Sequence, residues 1–466
     1  MAAVTTNGKV VEIRHDEESM SNALRAAVSQ LEPRGLRTYT PSLAVLARAE
    51  GSYVFTPEGR RLADFTSGVL VANLGHNLTR WWRRLENYMG FGEARSGEFF
   101  SAAPLTAYNA TTPVEVEACR RLIANMQSQP GGDRMEQVLW AASGSEGVIK
   151  ALRVALAQDP ARQMILATRR GFHGKKGLAG AVTGTEQDPD RDQRVRFIDF
   201  PREQCYSAEL RRRPLDVAPF QAELNRVAAE LDGQICCLIT EPYLGGGGSY
   251  HPQKEYLQLL EAFCRRHDVV FILDEVQSNF GRTGSMYAYT HYGIEPDLVV
   301  LGKGMGNGVP VDAVVGRADL MEKLNYGDAS DTWSGHPLGC AAVLATLDEF
   351  EESSVLDNAA ALAQILEAGL LRLTELQSIA AIRGEGAVWG VQCRAVGNRT
   401  SSDVANAIVR ACYEGDTEGR AIHLLGPLGR DVIRIAPPLV MPIDEASDYL
   451  NAMYAMVQSL ESKWSS

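Results

Sequence analysis

Residues 296–310 read PDLVVLGKGMGNGVP, a single lysine, Lys303, set among Gly302, Gly304, Gly306 and Gly308. The apolar run LVVL before Gly302 has the character of a strand covered on both faces. Lys303 therefore falls at the C-terminal end of that strand, where open α/β sheets place their ligands. Two nucleotide-loop readings fail on the neighbouring residues. A P-loop needs G-x-x-x-x-G-K-[ST], because the hydroxyl after the lysine holds magnesium. Here Gly304 follows Lys303, and Asp297 stands where the first glycine belongs. A G-x-G-x-x-G pattern begun at Gly302 ends on Asn307. The glycines read better as clearance that lets a flat ligand approach the lysine than as an anion nest.

Outward from this loop, the apolar runs QVLWAA, RQMILAT, ICCLIT and VVFILDE alternate with helical patterns such as EGVIKALRVAL, YLQLLEAFCRRH and LGCAAVLATLDEFE. That alternation over residues 110–345 predicts a mostly parallel α/β sheet. VVFIL runs into Asp274 and ICCLIT into Glu241, so three ionisable residues sit at predicted strand ends. Before the alternation, SMSNALRAAVSQLE is helical and GSYVFTPEGRRLADFTS reads as a hairpin around Pro-Glu-Gly. After it come a helix, the short strands IAAIRG, AVWGVQC and VIRIAPP, and a final helix. These ends predict a small α+β domain built from both termini, with residues 1–70 and 346–466 flanking a large domain over 71–345. The locally basic, proline-broken segment 199–233 reads as a solvated connection. RWWRRLENYM places Trp81, Leu85 and Tyr88 at helical spacing, a stripe that suits core or subunit contact.

Composition narrows the partners. The 466 residues carry a formal net charge of −12, which disfavours nucleic acid. Eight scattered cysteines without a CxxC pair read as reduced thiols, no His/Cys cluster has zinc spacing, and no apolar run approaches a membrane span. MAAVTTNGKVVEIRHDEES lacks an apolar leader, and the expectation is a cytoplasmic enzyme without a metal.

The chemistry follows from the strand ends. Desolvation lowers the pKa of a lysine and frees its amine for Schiff-base formation. A carboxylate such as Asp274 suits a pyridine nitrogen, holding its proton so that the ring withdraws electrons. Lysine and aspartate together are what pyridoxal 5'-phosphate requires. WAASGSEGVIKALRVAL supplies a strand, a Ser143-Gly144-Ser145 turn and a helix whose free N–H groups suit the phosphate, with capping-box spacing between Ser143 and Glu146.

As a set, SGSE, GFHG, EP…GGGG, ILDEVQSNFGRTG, PDLVVLGKGMGNGVP and DTWSGHPLGCAA, in this order, resemble the class III (omega) aminotransferases of pyridoxal-phosphate fold type I. The resemblance runs from GRRLADFTSG to IRIAPPL. It implies that Lys303 carries the cofactor as a Schiff base and that Asp274 pairs with the pyridine nitrogen. Val276 is implied on one ring face, Gln277 at the ring hydroxyl, and Phe172 on the opposite face with His173 beside it. Gly144 and Ser145 correspond to the phosphate turn, and Thr332 to a threonine that reaches the phosphate from the other subunit of a homodimer. Arg434 matches the arginine that holds a substrate α-carboxylate, and Glu241 a glutamate near the ring that gates it. The implied reaction is ping-pong transfer of an amino group between a small-molecule donor and a carbonyl acceptor. Epimerases, an aminomutase and a decarboxylating transaminase share the motifs, some members acting on amino sugars of antibiotic pathways; a nucleotide-binding α/β protein is the non-enzymatic alternative.

Three departures from the family pattern stand out. Gly147 replaces the usual alanine after SGSE, at a helix-propensity cost of roughly 1 kcal/mol. His336 replaces an asparagine, with an expected change in contacts around the phosphate. LTRWWRRLENYM replaces a proline-led helix on the substrate side.

Overall fold

Seven strands form the central sheet: β1 (Gln137–Ala141), β2 (Met164–Thr168), β3 (Val195–Ile198), β4 (Ile235–Thr240), β5 (Val270–Asp274), β6 (Leu298–Leu301) and β7 (Asp312–Gly316). Their spatial order is β1-β7-β6-β5-β4-β2-β3. Every neighbouring pair is parallel except those made by β7, which runs antiparallel to both β1 and β6. The computed structural model describes residues 5–6, 9–10, 13–91, 98–188 and 191–465. Of the stretch read above as lacking a leader, residues 1–4, 7–8 and 11–12 lie outside the described residues.

Strands β4, β5, β6 and β7 are buried at every position. This is why they carry no polar alternation: helices cover both faces, and each side chain needs an apolar partner. Strands β3 and β7 were not among the predicted runs. β3 is short and carries Arg196, and β7 begins on a charged residue, Asp312, so neither reads as a continuous apolar run.

The end strands form as expected. Tyr53–Phe55 and Arg61–Asp64 make the antiparallel hairpin, turned at Gly59 with φ +84°. Ile422–His423 then pairs in parallel with Arg61–Asp64, joining the two ends of the chain in one sheet. Ile379–Glu385, Val388–Cys393 and Val432–Ile435 form a separate antiparallel sheet.

Segment 199–233 differs from its reading as a solvated connection. It folds into helices Ala208–Arg211 and Ala218–Leu231, and Phe220, Leu224, Val227 and Leu231 of the second are buried. Their spacing of four, three and four residues is a helical stripe that the flanking basic residues obscured. Arg211 is bonded to Gly384 O and to the Glu385 carboxylate rather than to water alone.

The tryptophan-rich segment forms helix α1 (Thr79–Met89), with Trp81, Leu85 and Met89 buried. α1 packs on Pro337–Glu352, where the Trp81 indole N–H donates to Thr346 Oγ1 at 2.9 Å and Tyr88 Oη donates to Asp348 at 3.0 Å. Arg84 bridges Asp348, Glu349 and Glu352 along the same face. This departure from the family pattern is thus resolved as helix–helix packing.

Candidate active site

Four strand ends and one helix start converge. β5 delivers Asp274 at its last residue, and β6 leads through Gly302, in extended backbone, to Lys303. Lys303 itself is in the left-handed region, with φ +48°. An L residue there costs roughly 1 kcal/mol or more, a strain that recurs where a side chain must be aimed. β4 ends before Glu241, and β7 begins with Asp312 beside them.

Asp274 is held from two directions. His173 Nδ1 lies 2.7 Å from Asp274 Oδ2, and the Val276 amide donates to Oδ1 at 3.1 Å. Burial disfavours the His173 imidazolium, but the bond and charge of Asp274 outweigh it and raise its pKa above the ordinary value. His173, next to Phe172 in the chain, stands behind Asp274, where it fixes the carboxylate.

Lys303 is half-buried, and desolvation of its amine lowers its pKa, opposed by the charges of Asp274 and Asp312. Glu241 accepts from the amides of Phe172 at 2.7 Å and Gly245 at 3.1 Å, while burial pushes its carboxyl up to about 7. Arg434, on the strand Val432–Ile435, is buried and reaches Gln277 Oε1 through Nη1 at 3.3 Å. Gln277 in turn lies against Gly245, where a Cβ would stand 2.4 Å from Oε1.

The turn Ser143-Gly144-Ser145 opens helix α2 (Gly144–Leu156), and Ser143 Oγ accepts from the Glu146 amide as its N-cap. The Glu146 carboxylate returns a bond to the Ala142 amide at 3.0 Å. Val276 packs on Gly144, and Gly174 packs on Ser145, so the turn is seated between the Asp274 and Phe172 loops. Thr332 stands apart from this assembly on the exposed loop before Pro337, which Lys150 of α2 anchors through Asp331 at 2.6 Å.

Two departures find local explanations. A Cβ on Gly147 would meet Val300 Cγ1 at 2.9 Å, so the glycine clears space for β6. His336 N-caps the helix Pro337–Glu352, Nδ1 accepting from Gly339 N at 3.1 Å while Nε2 faces Pro310 O at 3.1 Å. These two contacts fit a single tautomer, with the proton on Nε2.

Sequence reasoning missed Asp312. Its carboxyl is buried against Gly302, and Oδ1 has no hydrogen-bond partner. The available signal was an acidic residue opening an otherwise apolar strand right after the glycine loop.

The residues fit pyridoxal phosphate. A buried amine, a carboxylate backed by histidine, and a helix start whose first amides lack intrahelical acceptors provide the donor set. Between them, Phe172 keeps 37% of its surface exposed, and Gly246 passes so close that a Cβ would stand 2.8 Å from Phe172 Cβ. Gly246 can pass that close only because it carries no side chain.

The family model of the Aminotransferase class-III family matches residues 36–457. The chain belongs to the class III aminotransferases. It is 29% identical over 426 residues to acetylornithine aminotransferase of Agrobacterium fabrum, covering 89% of this chain and 94% of that one. It is 30% identical over 441 residues to 4-aminobutyrate aminotransferase of Mycobacterium bovis, covering 89% and 91%. Among solved structures, the amine transaminase from an uncultivated Pseudomonas species, in its PLP-bound form, superposes with a TM-score of 0.74 at 26% identity, covering 91% and 96%. The ornithine aminotransferase of Toxoplasma gondii shares the fold, with a TM-score of 0.79 at 23% identity over 95% and 96% of the chains. This class III aminotransferase is a pyridoxal-phosphate enzyme of fold type I. The aminotransferase names of its relatives favour transamination over the epimerase, aminomutase and nucleotide-binding alternatives.

Proposed function

We propose that this aminotransferase holds its cofactor on Lys303 and moves an amino group between a carboxylate-bearing amino donor and a carbonyl acceptor in two half-reactions. The observation that carries the reading is the buried Lys303 amine, its pKa lowered by burial, in the field of an Asp274 carboxylate that His173 holds in place. When bound, pyridoxal phosphate supplies the electron sink that takes up charge left on the substrate carbon. The chain supplies the rest. Asp274 would meet the ring nitrogen, and His173 fixes the orientation of that carboxylate. Val276 and Phe172 would flank the ring, Gln277 would meet its hydroxyl, and the Ser143-Gly144-Ser145 turn would receive the phosphate. Lys303 Nζ, once free, accepts the proton from the donor carbon and returns it on the other side of the transfer.

On the substrate side, the Arg434 guanidinium offers a fork suited to a carboxylate. The relatives named for 4-aminobutyrate, acetylornithine and 5-aminovalerate support an amino acid as one partner. Glu241, within electrostatic reach of Arg434 and neutral below about pH 7, suits a gate on that arginine. The exposure of Thr332 and of its neighbour Trp333 supports a homodimer in which Thr332 reaches the partner's phosphate. Among the described residues no cysteine is in a disulfide and no helix is long and apolar enough to cross a membrane. The unpaired thiols support a reducing, cytoplasmic setting.

The test is direct. The purified protein should show a visible cofactor band that borohydride bleaches, with the reduced cofactor recovered by mass spectrometry on the Lys303 peptide. Lys303→Ala should lose both the band and turnover. A panel of donors scored by conversion to the pyridoxamine spectrum identifies the substrate; transamination retained by Lys303→Ala refutes the reading.

A further inference from the structure

Lys150 takes no part in the mechanism above, yet it is a charged side chain shut away from water, 6% exposed in the middle of helix α2. An ammonium has three donors, and here each finds an acceptor: Trp140 O, Asp331 Oδ2 and Ser334 Oγ, all at 2.6 Å. Trp140 belongs to β1, which ends just before the Ser143-Gly144-Ser145 turn. Asp331 and Ser334 bracket Thr332 in the chain. One cation therefore ties the turn expected to receive this subunit's phosphate to the loop that carries the threonine.

The loop is gripped on its inner side and open on its outer side. Asp331 Oδ1 accepts from the amides of Trp333 at 2.8 Å and Ser334 at 2.9 Å, and Oδ2 accepts from the Ser334 hydroxyl at 2.5 Å. From the same helix, Arg153 Nη1 donates to Asp328 O at 2.9 Å. Thr332 itself is exposed, and Trp333 beside it keeps 58% of its surface accessible. Withdrawing two charges from water offsets much of their attraction, so a buried pair adds little net stability. What this arrangement secures is one geometry for the turn, with Thr332 left exposed.

We propose that Lys150 is a positioning residue for the site of the other subunit: its ammonium fixes the turn from Asp331 to Ser334 and so aims Thr332 at the partner's phosphate. The inference rests on the reading of Thr332 as a ligand that crosses a dimer interface. It adds the element that sets the threonine, and it predicts that a change in α2 of one subunit is felt by the cofactor bound to the other.

The experiment measures cofactor affinity in the full chain, read from the visible cofactor band as pyridoxal phosphate is titrated back. Lys150→Met keeps the aliphatic stem and removes the donors. It should weaken affinity about tenfold, the order of one hydrogen bond to a charged group. Amide exchange of the 328–336 segment should quicken in the cofactor-free variant at the same time. Asp331→Asn should act in the same direction, which covers the case in which the methionine variant does not fold. Two tagged mixed dimers locate the effect, since a Lys303→Ala chain contributes no band. In Lys150→Met paired with Lys303→Ala, the remaining site receives Thr332 from an intact loop and should bind as wild type. In wild type paired with Lys303→Ala/Lys150→Met, it should bind about tenfold more weakly. A loss in the first pair overturns the proposal, because Lys150 then acts on its own helix start. Thr332→Ala separates the two readings. If it weakens affinity and neither loop variant does, only the Lys150 proposal fails; if it has no effect, or the protein is monomeric in solution, the Thr332 reading fails and the proposal with it.

Discussion

At the scale of single residues, the site is a set of side chains whose protonation is decided by burial. Glu241 shows the consequence for stability. Its carboxyl titrates near 7 in the folded protein, against an ordinary value of 4.5. Between those values the folded chain binds a proton that the unfolded chain has lost, so stability falls as pH rises from about 4.5 to about 7. Glu275 contributes in the same direction, buried and raised to about 7. Glu241→Gln should therefore flatten, but not abolish, the decline in melting temperature over that window, a difference on the order of 2–3 kcal/mol at its neutral end. The comparison of wild type and variant at pH 5 and pH 7.5 reads it. A decline of unchanged steepness would show that Glu241 ionises normally. Lys303, Asp274 and Glu241 were legible as a group because each ends an apolar run. The bond from His173 to Asp274 was not, since 101 residues separate the pair.

At the scale of elements, the junction of α2 with β6 shows how a local rule yields to packing. Helix propensity alone favours alanine at position 147 by roughly 1 kcal/mol. Against it, the added methyl would press on Val300 Cγ1 at 2.9 Å, and overpacking costs ~1–3 kcal/mol. Gly147→Ala should thus lower stability in the wild type by up to ~2 kcal/mol, measured by urea unfolding. In a Val300→Ala background the same change should become neutral or stabilising, because the obstructing methyls are gone. Additive effects in this double-mutant cycle would disprove the contact. The identity of residue 147 in the sequence signals only a weak helix; its partner across the sheet supplies the reason.

At the scale of the whole molecule, Arg282 fastens both ends of the chain to the central sheet. Its buried guanidinium donates to Ala387 O at 3.0 Å, Pro437 O at 2.6 Å, Ser67 Oγ at 3.1 Å and Asn73 Oδ1 at 2.5 Å. These acceptors come from before and after the sheet in sequence, and Ser67 and Asn73 lie on the approach to helix α1. Arg282→Met strips a donor from several buried acceptors, each worth about 1–3 kcal/mol when left unpaired. The variant should lose at least ~3 kcal/mol of stability, seen as a lower urea midpoint, with cofactor absorbance lost in the same transition. Arg434 stands three residues before Pro437 on the same run of chain, so loosening this hub also weakens the expected hold on a substrate carboxylate.

The sequence by itself determined the alternating β and α elements, the ends of the buried strands and hence which charged residues approach a common edge. It did so because strands covered on both faces must be apolar, and their first polar residue marks where the sheet opens. It also marked Lys303 through the glycines that surround it. Tertiary structure alone decided the antiparallel insertion of β7, which sets Asp312 against Gly302; the pairing of His173 with Asp274; and the convergence of Gly147 with Val300. Each depends on which segments lie side by side across the sheet, and no periodicity within a segment encodes its neighbour. LGKGMGNGVP announces a lysine with space around it, and the fold shows that a buried carboxyl fills part of that space.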